Sequence, residues 1–386
     1  METIDVLVVG AGLAGLHTAR LIARQGLSVV VVDKRRSLAA GVRTTGIFVR
    51  RTLEDFDLPE HLLGPGVRDV VLYPPSRREP IRLTSDRVEY RVADMPGVYE
   101  HARRQAEAAG ARVRLGVRYD GSVRGITAGQ RLVKLQGHEP VRARFIVGAD
   151  GARSRVARDL GLDVNRRLLV GAEIVHAVDA PASVPTFHCV LDPRVAPGYL
   201  GWVIEDGRHA HIGVAGYPQA MRKGVRHLLD DFAAGAPGTH APVGPVERRG
   251  GPIPVGGVLR RLAGPDGLLV GDAAGAVSPL TAGGLDPCLR LSELAAAVTV
   301  AFVRTGEVGE LRRYDGGMLR SKFRGRLLLR RAFAGLTSPA LVEAAVAAMR
   351  GRAGRAMAAR VLFGDGSFPD VEPTTSGRTL SRPATG

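Results

Sequence analysis

Three stretches of the chain carry residue types able to hold a phosphorylated nucleotide. Gly10, Gly12 and Gly15, with Leu13 and Ala14 between the last two, follow an apolar run at residues 4–9, and helical periodicity continues to Gln25. Glycines at this spacing allow a tight turn, let backbone approach a pyrophosphate and let a helix start close against a strand. The helix start also offers free N–H groups and the positive end of its dipole to the phosphates. A second apolar run, residues 29–32, ends in Asp33, where a carboxylate can accept hydrogen bonds from an adenosine ribose. The pattern predicts dinucleotide binding and leaves NAD and FAD both open. Two more apolar runs empty into acidic, glycine-containing turns. One holds Asp150, Gly151 and Ser154; the other holds Gly271 and Asp272, followed by Pro279, Gly283, Gly284 and Leu285 before an apolar helix at 289–302. Turn chemistry alone does not readily place three such turns in one chain.

These residues need a β-α-β opening and further buried strands to position them. The 386 residues, 45% hydrophobic and 24% charged, suffice for one large or two modest cores, and a two-domain globular enzyme is expected. No apolar run is long and charge-free enough to span a membrane, and the N-terminus enters an apolar strand at once instead of a basic leader, so a soluble cytoplasmic protein is expected. Cys189 and Cys288, with no paired spacing, read as two small buried hydrophobes, not as a disulfide or metal site. The net charge of +16 would suit an anionic partner, but the arginines are dispersed without interleaved aromatics. A solvated basic surface is expected in place of a specific nucleic-acid face.

Between residues 168 and 255 the pattern changes to short alternating runs broken by Pro and Gly, which predicts an antiparallel sheet. Tyr199 and Trp202, three apart, would face opposite sides of a regular strand and reach one cavity only through a bulge at Gly201. His209 and His211 share a strand face, without further ligands placed for a metal, so no metal site is expected. His188 and Cys189 alternate to opposite faces and do not make a nucleophilic pair.

The combination of GxGxxG, the GADGxxS segment from Gly148 to Ser154, and GDAAG from Gly271 to Gly275 followed by Pro279 and the Gly283-Gly284 pair resembles one flavoprotein group. That group contains para-hydroxybenzoate hydroxylase, flavin-dependent halogenases and geranylgeranyl reductases, and the resemblance spans roughly residues 1–305. It implies FAD as the tightly bound dinucleotide and an α/β fold. A Rossmann-like FAD-binding domain (1–75, 95–165 and 256–310) would carry an α+β substrate domain with an antiparallel sheet (76–94 and 166–255). C-terminal helices (311–365) and a disordered tail (366–386) would follow. Gly10, Gly12, Leu13, Ala14 and Gly15 would hold the pyrophosphate and Asp33 the adenosine ribose. Lys34, Arg43, Asp150, Gly151 and Ser154 would lie along the dinucleotide. Gly271 and Asp272 would meet the ribityl or pyrophosphate region, with Pro279, Gly283, Gly284 and Leu285 against the isoalloxazine. Backbone N–H groups there can stabilise an anionic reduced ring.

Within the group, the absence of a lysine at a halogenase position and the Tyr-x-x-Trp segment resemble the geranylgeranyl reductase branch. A reductase of C=C bonds in an isoprenoid or other apolar secondary metabolite is therefore expected, with Thr45, Tyr199 and Trp202 as candidates lining the substrate cavity. An NAD(P)H- and oxygen-dependent monooxygenase is the alternative; a halogenase or a non-catalytic basic binding protein ranks lower. The branch often carries Cys-Gly-Gly where this chain has Thr44-Thr45-Gly46, so no cysteine acid is expected there. No second GxGxxG unit occurs, which leaves NAD(P)H as a transiently bound reductant, or an electron-donor protein in its place. The basic C-terminal helices are expected to pack on the flavin domain, with a face able to touch an anionic membrane.

Overall fold

The computed structural model describes residues 1–125, 129–179, 182–239, 242–321 and 323–363. The expected tail at 366–386 and Lys322 lie outside the described residues.

The predicted opening forms β1 (Glu2–Val9), α1 (Leu13–Ala23) and β2 (Val29–Asp33). Next come β3 (Ile47–Val49), α2 (Arg50–Asp55), β4 (Asp69–Tyr73), β5 (Ile81–Thr84), β6 (Tyr90–Val92), α3 (Met95–Ala108), β7 (Arg112–Leu115), β8 (Arg118–Arg124), β9 (Arg131–Gln136), β10 (His138–Gly148) and α4 (Arg155–Asp159). The middle contains β11 (Leu168–Ala177), β12 (Thr186–Val190), β13 (Gly201–Glu205), β14 (His209–Gly216), α5 (Val225–Ala233) and β15 (Val243–Pro254). The last part holds β16 (Ala263–Gly264), β17 (Gly267–Leu269) and the helices α6 (Leu285–Thr305), α7 (Gly316–Ser321), α8 (Arg324–Ala334), α9 (Pro339–Met349) and α10 (Arg352–Leu362).

In the first sheet β1 lies between parallel β2 and β10, with β7 beyond β2 and β17 beyond β10. The continuous apolar sequences of residues 6–9 in β1 and 29–32 in β2 follow from burial on both faces, with α1, α3 and α6 supplying cover. Chain order reverses at β1, and Gly10, Asp33 and Ala149 all sit at the carboxyl edge beside it, where such sheets open their ligand crevice.

The second sheet runs β15-β11-β14-β13-β12-β4-β5 and is antiparallel except for the β12–β4 pair. Residues 69–73, expected within the first domain, belong here as β4, because β4 pairs with both β12 and β5 and buries Val70, Val71 and Leu72 between them. The C-terminal helices also divide differently from expectation. Leu319 and Phe323 join the core around the first sheet, but Val342, Val346 and Ala358 pack with Val70, Leu72, Ile81 and Leu83 of the second sheet. That sheet's apolar face needs a cover, which α9 and α10 provide. Tyr90 Oη donates to the Leu362 carbonyl and Ser76 Oγ to Glu343 at 3.0 Å, fastening this cover to the sheet.

Candidate active site

A cavity of about 1250 Å³ runs from the carboxyl edge of the first sheet beneath the second sheet to α8–α10. It exceeds the usual size of a site for one small ligand and leaves room for a cofactor and a substrate together. Of the cofactor candidates, Gly10, Gly12, Leu13, Ala14, Asp33, Lys34, Arg43, Asp150, Gly151, Gly271, Asp272, Gly283, Gly284 and Leu285 line it, as do Thr45, Tyr199 and Trp202. Gly15, Ser154 and Pro279 do not.

Gly15 instead makes the turn close. A Cβ there would stand 1.9 Å from the Gly10 carbonyl oxygen, and one at Gly10, whose φ is +111°, would stand 2.3 Å from that of Ala149. Gly12 is different: its φ is −81° and a Cβ would meet nothing within 4 Å. Gly283 and Gly284 likewise have only ordinary contacts around them. No packing demand keeps these three residues small, whereas an object held in the cavity would. Gly12 caps α1 and Gly284 caps α6 without a side-chain acceptor, so the first N–H groups of both helices open toward the cavity.

Ser154 was expected along the cleft, but it caps α4. Its Oγ accepts from Ala157 N at 2.9 Å and donates to Asp150 Oδ1 at 2.6 Å, while Asp150 Oδ2 accepts from the N–H groups of Arg155 and Val156. The GADGxxS segment thus presents Gly151 to the cavity by bracing Asp150 from behind. Asp33 has a partner that sequence reasoning missed. Its carboxylate accepts from Ala11 N at 2.8 Å and from Arg35 through Nε, Nη2 and the backbone N–H. Burial opposes ionisation, but Arg35 wins and holds the Asp33 pKa below the ordinary range. Recognition of a ribose at Asp33 would therefore be shared with Arg35, whose guanidinium also lies over the Tyr99 ring. Burial pushes Asp272 up to about 6 and Cys189 up to about 12, which leaves Cys189 a neutral thiol.

The register of the second sheet builds the other wall. Arg249 of β15 pairs with Glu173 of β11, Glu173 with Gly213 of β14, Gly213 with Trp202 of β13, Trp202 with Cys189 of β12, and Cys189 with Leu72 of β4. This transverse row grades from charged to apolar, and every member except Gly213 lines the cavity. Gly213 makes room for the indole: a Cβ there would stand 2.1 Å from the Trp202 ring. Lying across Gly213, Trp202 Nε1 donates to Thr45 Oγ1 at 3.1 Å and to Glu173 Oε1 at 3.3 Å, and Thr45 Oγ1 donates to Glu173 Oε1 at 2.5 Å.

Tyr199 and Trp202 share the cavity without any bulge. The strand begins at Gly201, and Tyr199 stands in the preceding turn, where its N–H donates to the Ala196 carbonyl. Its hydroxyl donates to the Thr281 carbonyl and its ring lies under the Arg330 guanidinium. His209 and His211 share a face and both approach Asp206 Oδ2, each at 3.2 Å. Glu173, Arg249 and Arg35 escaped sequence reasoning because no local motif marks them; alternation alone could have placed Glu173 on the inner face of β11.

The two uncapped helix starts, the unforced glycines and the braced acidic turns fit one extended dinucleotide, and residues 3–194 match the family model described as FAD binding domain. The protein is an FAD-dependent oxidoreductase. Within that class its sequence is similar to geranylgeranyl reductases, and its fold is shared with flavin monooxygenases. It is 28% identical over 326 residues to geranylgeranyl diphosphate reductase of Rhodobacter capsulatus, covering 82% of this chain and 80% of that protein. It is 27% identical to digeranylgeranylglycerophospholipid reductase 1 of Methanococcoides burtonii, covering 81% and 78%. A geranylgeranyl bacteriochlorophyll reductase-like protein from Thermoplasma acidophilum shares the fold, with a TM-score of 0.79, 23% identity and coverage of 95% and 98%. Among the described residues, no helix is long and apolar enough to cross a membrane.

Proposed function

We propose that the protein saturates C=C bonds of an isoprenoid chain that carries a polar, anionic head. One observation carries this reading: the grading of the cavity wall from Arg249 and Glu173 through Trp202 to Cys189 and Leu72, continued by Phe333, Val346 and Met349 of the C-terminal helices. A long apolar chain with one charged end matches such a wall. Gly10, Gly12, Leu13 and Ala14 would receive the pyrophosphate of FAD with Lys34, Arg43 and Gly151 along it. Gly271, Asp272 and Gly283 to Leu285 would seat its flavin end. Bound FAD, once reduced, supplies a hydride. Thr45 and Trp202 orient the reacting bond beside Glu173, while the apolar side chains of α8–α10 exclude water from the chain.

NAD(P)H binding transiently, or an electron-donor protein, supplies the electrons. The site of action is cytoplasmic, at a membrane surface that delivers the substrate. Leu328, Leu341 and Met357 are exposed on α8, α9 and α10, Leu329 and Met357 line the cavity, and arginines stand around them. Such a face suits an anionic bilayer. The test is anaerobic: reduce the bound flavin with dithionite, add geranylgeranyl diphosphate or an unsaturated archaeal-type glycerophospholipid, and follow return of the oxidised spectrum with the product mass. Each reduced bond adds two hydrogens. No reoxidation by either compound overturns the reading, and NADPH oxidation with stoichiometric oxygen uptake would mark a monooxygenase in its place.

A further inference from the structure

Saturation of an alkene needs a proton as well as a hydride, and the cavity wall contains a buried acid chain leading outward. Glu173, 4% exposed, lines the cavity, and among the described residues its hydrogen bonds, from Thr45 and Trp202, fall on Oε1. Behind it His211, 3% exposed, places Nδ1 at 3.7 Å from the same oxygen, and Nδ1 has no hydrogen-bond partner. On the far side His211 Nε2 lies 3.2 Å from Asp206 Oδ2, whose side chain is 15% exposed and stands in the turn between β13 and β14. Glu173 and His211 are on adjacent antiparallel strands, diagonal across the Glu173–Gly213 and Val175–His211 pairs, hence on one face.

We infer that Asp206, His211 and Glu173 form a proton path from solvent to the cavity, and that Glu173 is the acid that protonates the substrate carbon. The step balances as follows. Bound reduced FAD would supply the hydride for one C–H bond, and Glu173 gives the proton for the other to the π electron pair as its carboxyl O–H bond breaks. His211 has meanwhile passed its Nδ1 proton to Glu173 Oε1 and regains one from solvent by way of Asp206. Closing the 3.7 Å gap by about 0.5–1 Å brings Nδ1 into hydrogen-bond range.

The charges around the ring favour storing the proton there. Burial alone would lower the His211 pKa, but Asp206 and Glu173 outweigh it and raise it to about 9. Glu173 is held below the ordinary range, against burial, by His211, Thr45 and Arg249. The other charged groups facing this cluster are Arg249 and Glu247 of β15 and His209 of β14. Helix α5 packs on the opposite face of the sheet through Leu229 and Phe232.

The inference rests on the reductase reading, and the experiment separates the two. Reduced FAD-loaded wild type, Glu173→Gln, His211→Gln and Asp206→Asn are mixed anaerobically with geranylgeranyl diphosphate, and separately with oxygen. Glu173→Gln should slow reoxidation by the alkene by about 100-fold or more, the size of a general-acid contribution, and slow reoxidation by oxygen far less. His211→Gln and Asp206→Asn should slow the alkene reaction less, and His211→Gln should remove the fall in rate expected of wild type above about pH 9. In parallel, the His211 ring protons are titrated by NMR in oxidised wild type and Glu173→Gln. The path requires a strongly raised midpoint in wild type that drops in the variant. A midpoint near the ordinary histidine value refutes the path whatever the activity, and so does wild-type alkene kinetics in Glu173→Gln. Wild type that never reacts with the alkene refutes the reductase reading and the path with it.

Discussion

Replacing Gly213 by alanine should dismantle the active-site wall from a position that touches no ligand. The new methyl would sit 2.1 Å from the Trp202 ring, so the indole must retreat by more than about 1 Å to reach ordinary van der Waals distance. It cannot do so freely, because its N–H is shared between Thr45 and Glu173. Overpacking of this kind costs about 1–3 kcal/mol, and a buried carboxylate that loses a donor costs about 1–3 kcal/mol more. A destabilisation of about 2–6 kcal/mol follows. Trp202 is the only tryptophan of the chain, so its emission reports the event directly. Gly213→Ala should shift that emission to longer wavelength, change its quenching by bound FAD and lower the urea midpoint. The control Gly325→Ala, where a Cβ meets nothing within 4 Å in helix α8, should leave the emission and its quenching unchanged and should not lower the midpoint. A Gly213→Ala protein with wild-type emission and midpoint would refute the transverse packing of Trp202 and the wall built on it.

Asp272→Asn should stabilise the apoprotein at neutral pH, by up to about 3 kcal/mol, since burial raises its carboxyl to about 6 and ionisation above that pH costs folding energy. The same variant should bind FAD less tightly; a thermal shift without FAD and a fluorescence titration with it give the two signs, and a loss of both would contradict the burial argument. Ser154→Ala removes a helix cap and should cost about 1 kcal/mol in denaturant unfolding while the yellow colour is retained, whereas loss of FAD would place Ser154 in the cleft after all. Stability should also fall with rising pH between about 6.5 and 9. His211 has a raised pKa in the folded protein, so its contribution, about 3 kcal/mol, is complete below the unfolded value and vanishes as the folded value is passed. His211→Gln should flatten that limb of the unfolding curve.

The nucleotide half of the protein was legible from residues alone because its signals are local. Apolar runs that end at Val9 and Val32, the glycines between them and the acid at Asp33 lie within one β-α-β unit, where backbone geometry follows from residue type and nearest neighbours. The same held for the GDAAG turn and the helix start at Leu285. Even there, partners were not legible: Arg35 takes up Asp33, and Ser154 turns back to cap α4, because side-chain competition depends on space. The substrate half depended on the fold. Alternation puts Glu173, Trp202 and His211 on strands but says nothing of which strand lies beside which. Only the pairing of β15, β11, β14, β13, β12 and β4, drawn from segments as far apart as residues 69 and 254, sets Arg249, Glu173, Trp202 and Cys189 in one row. Likewise the helices after residue 338 cover the second sheet because that sheet, once assembled, has an apolar face left to bury. Residue order determined the glycine turns and helix starts along the first sheet's carboxyl edge; long-range register, which is set by the burial of whole faces, decided what stands opposite them.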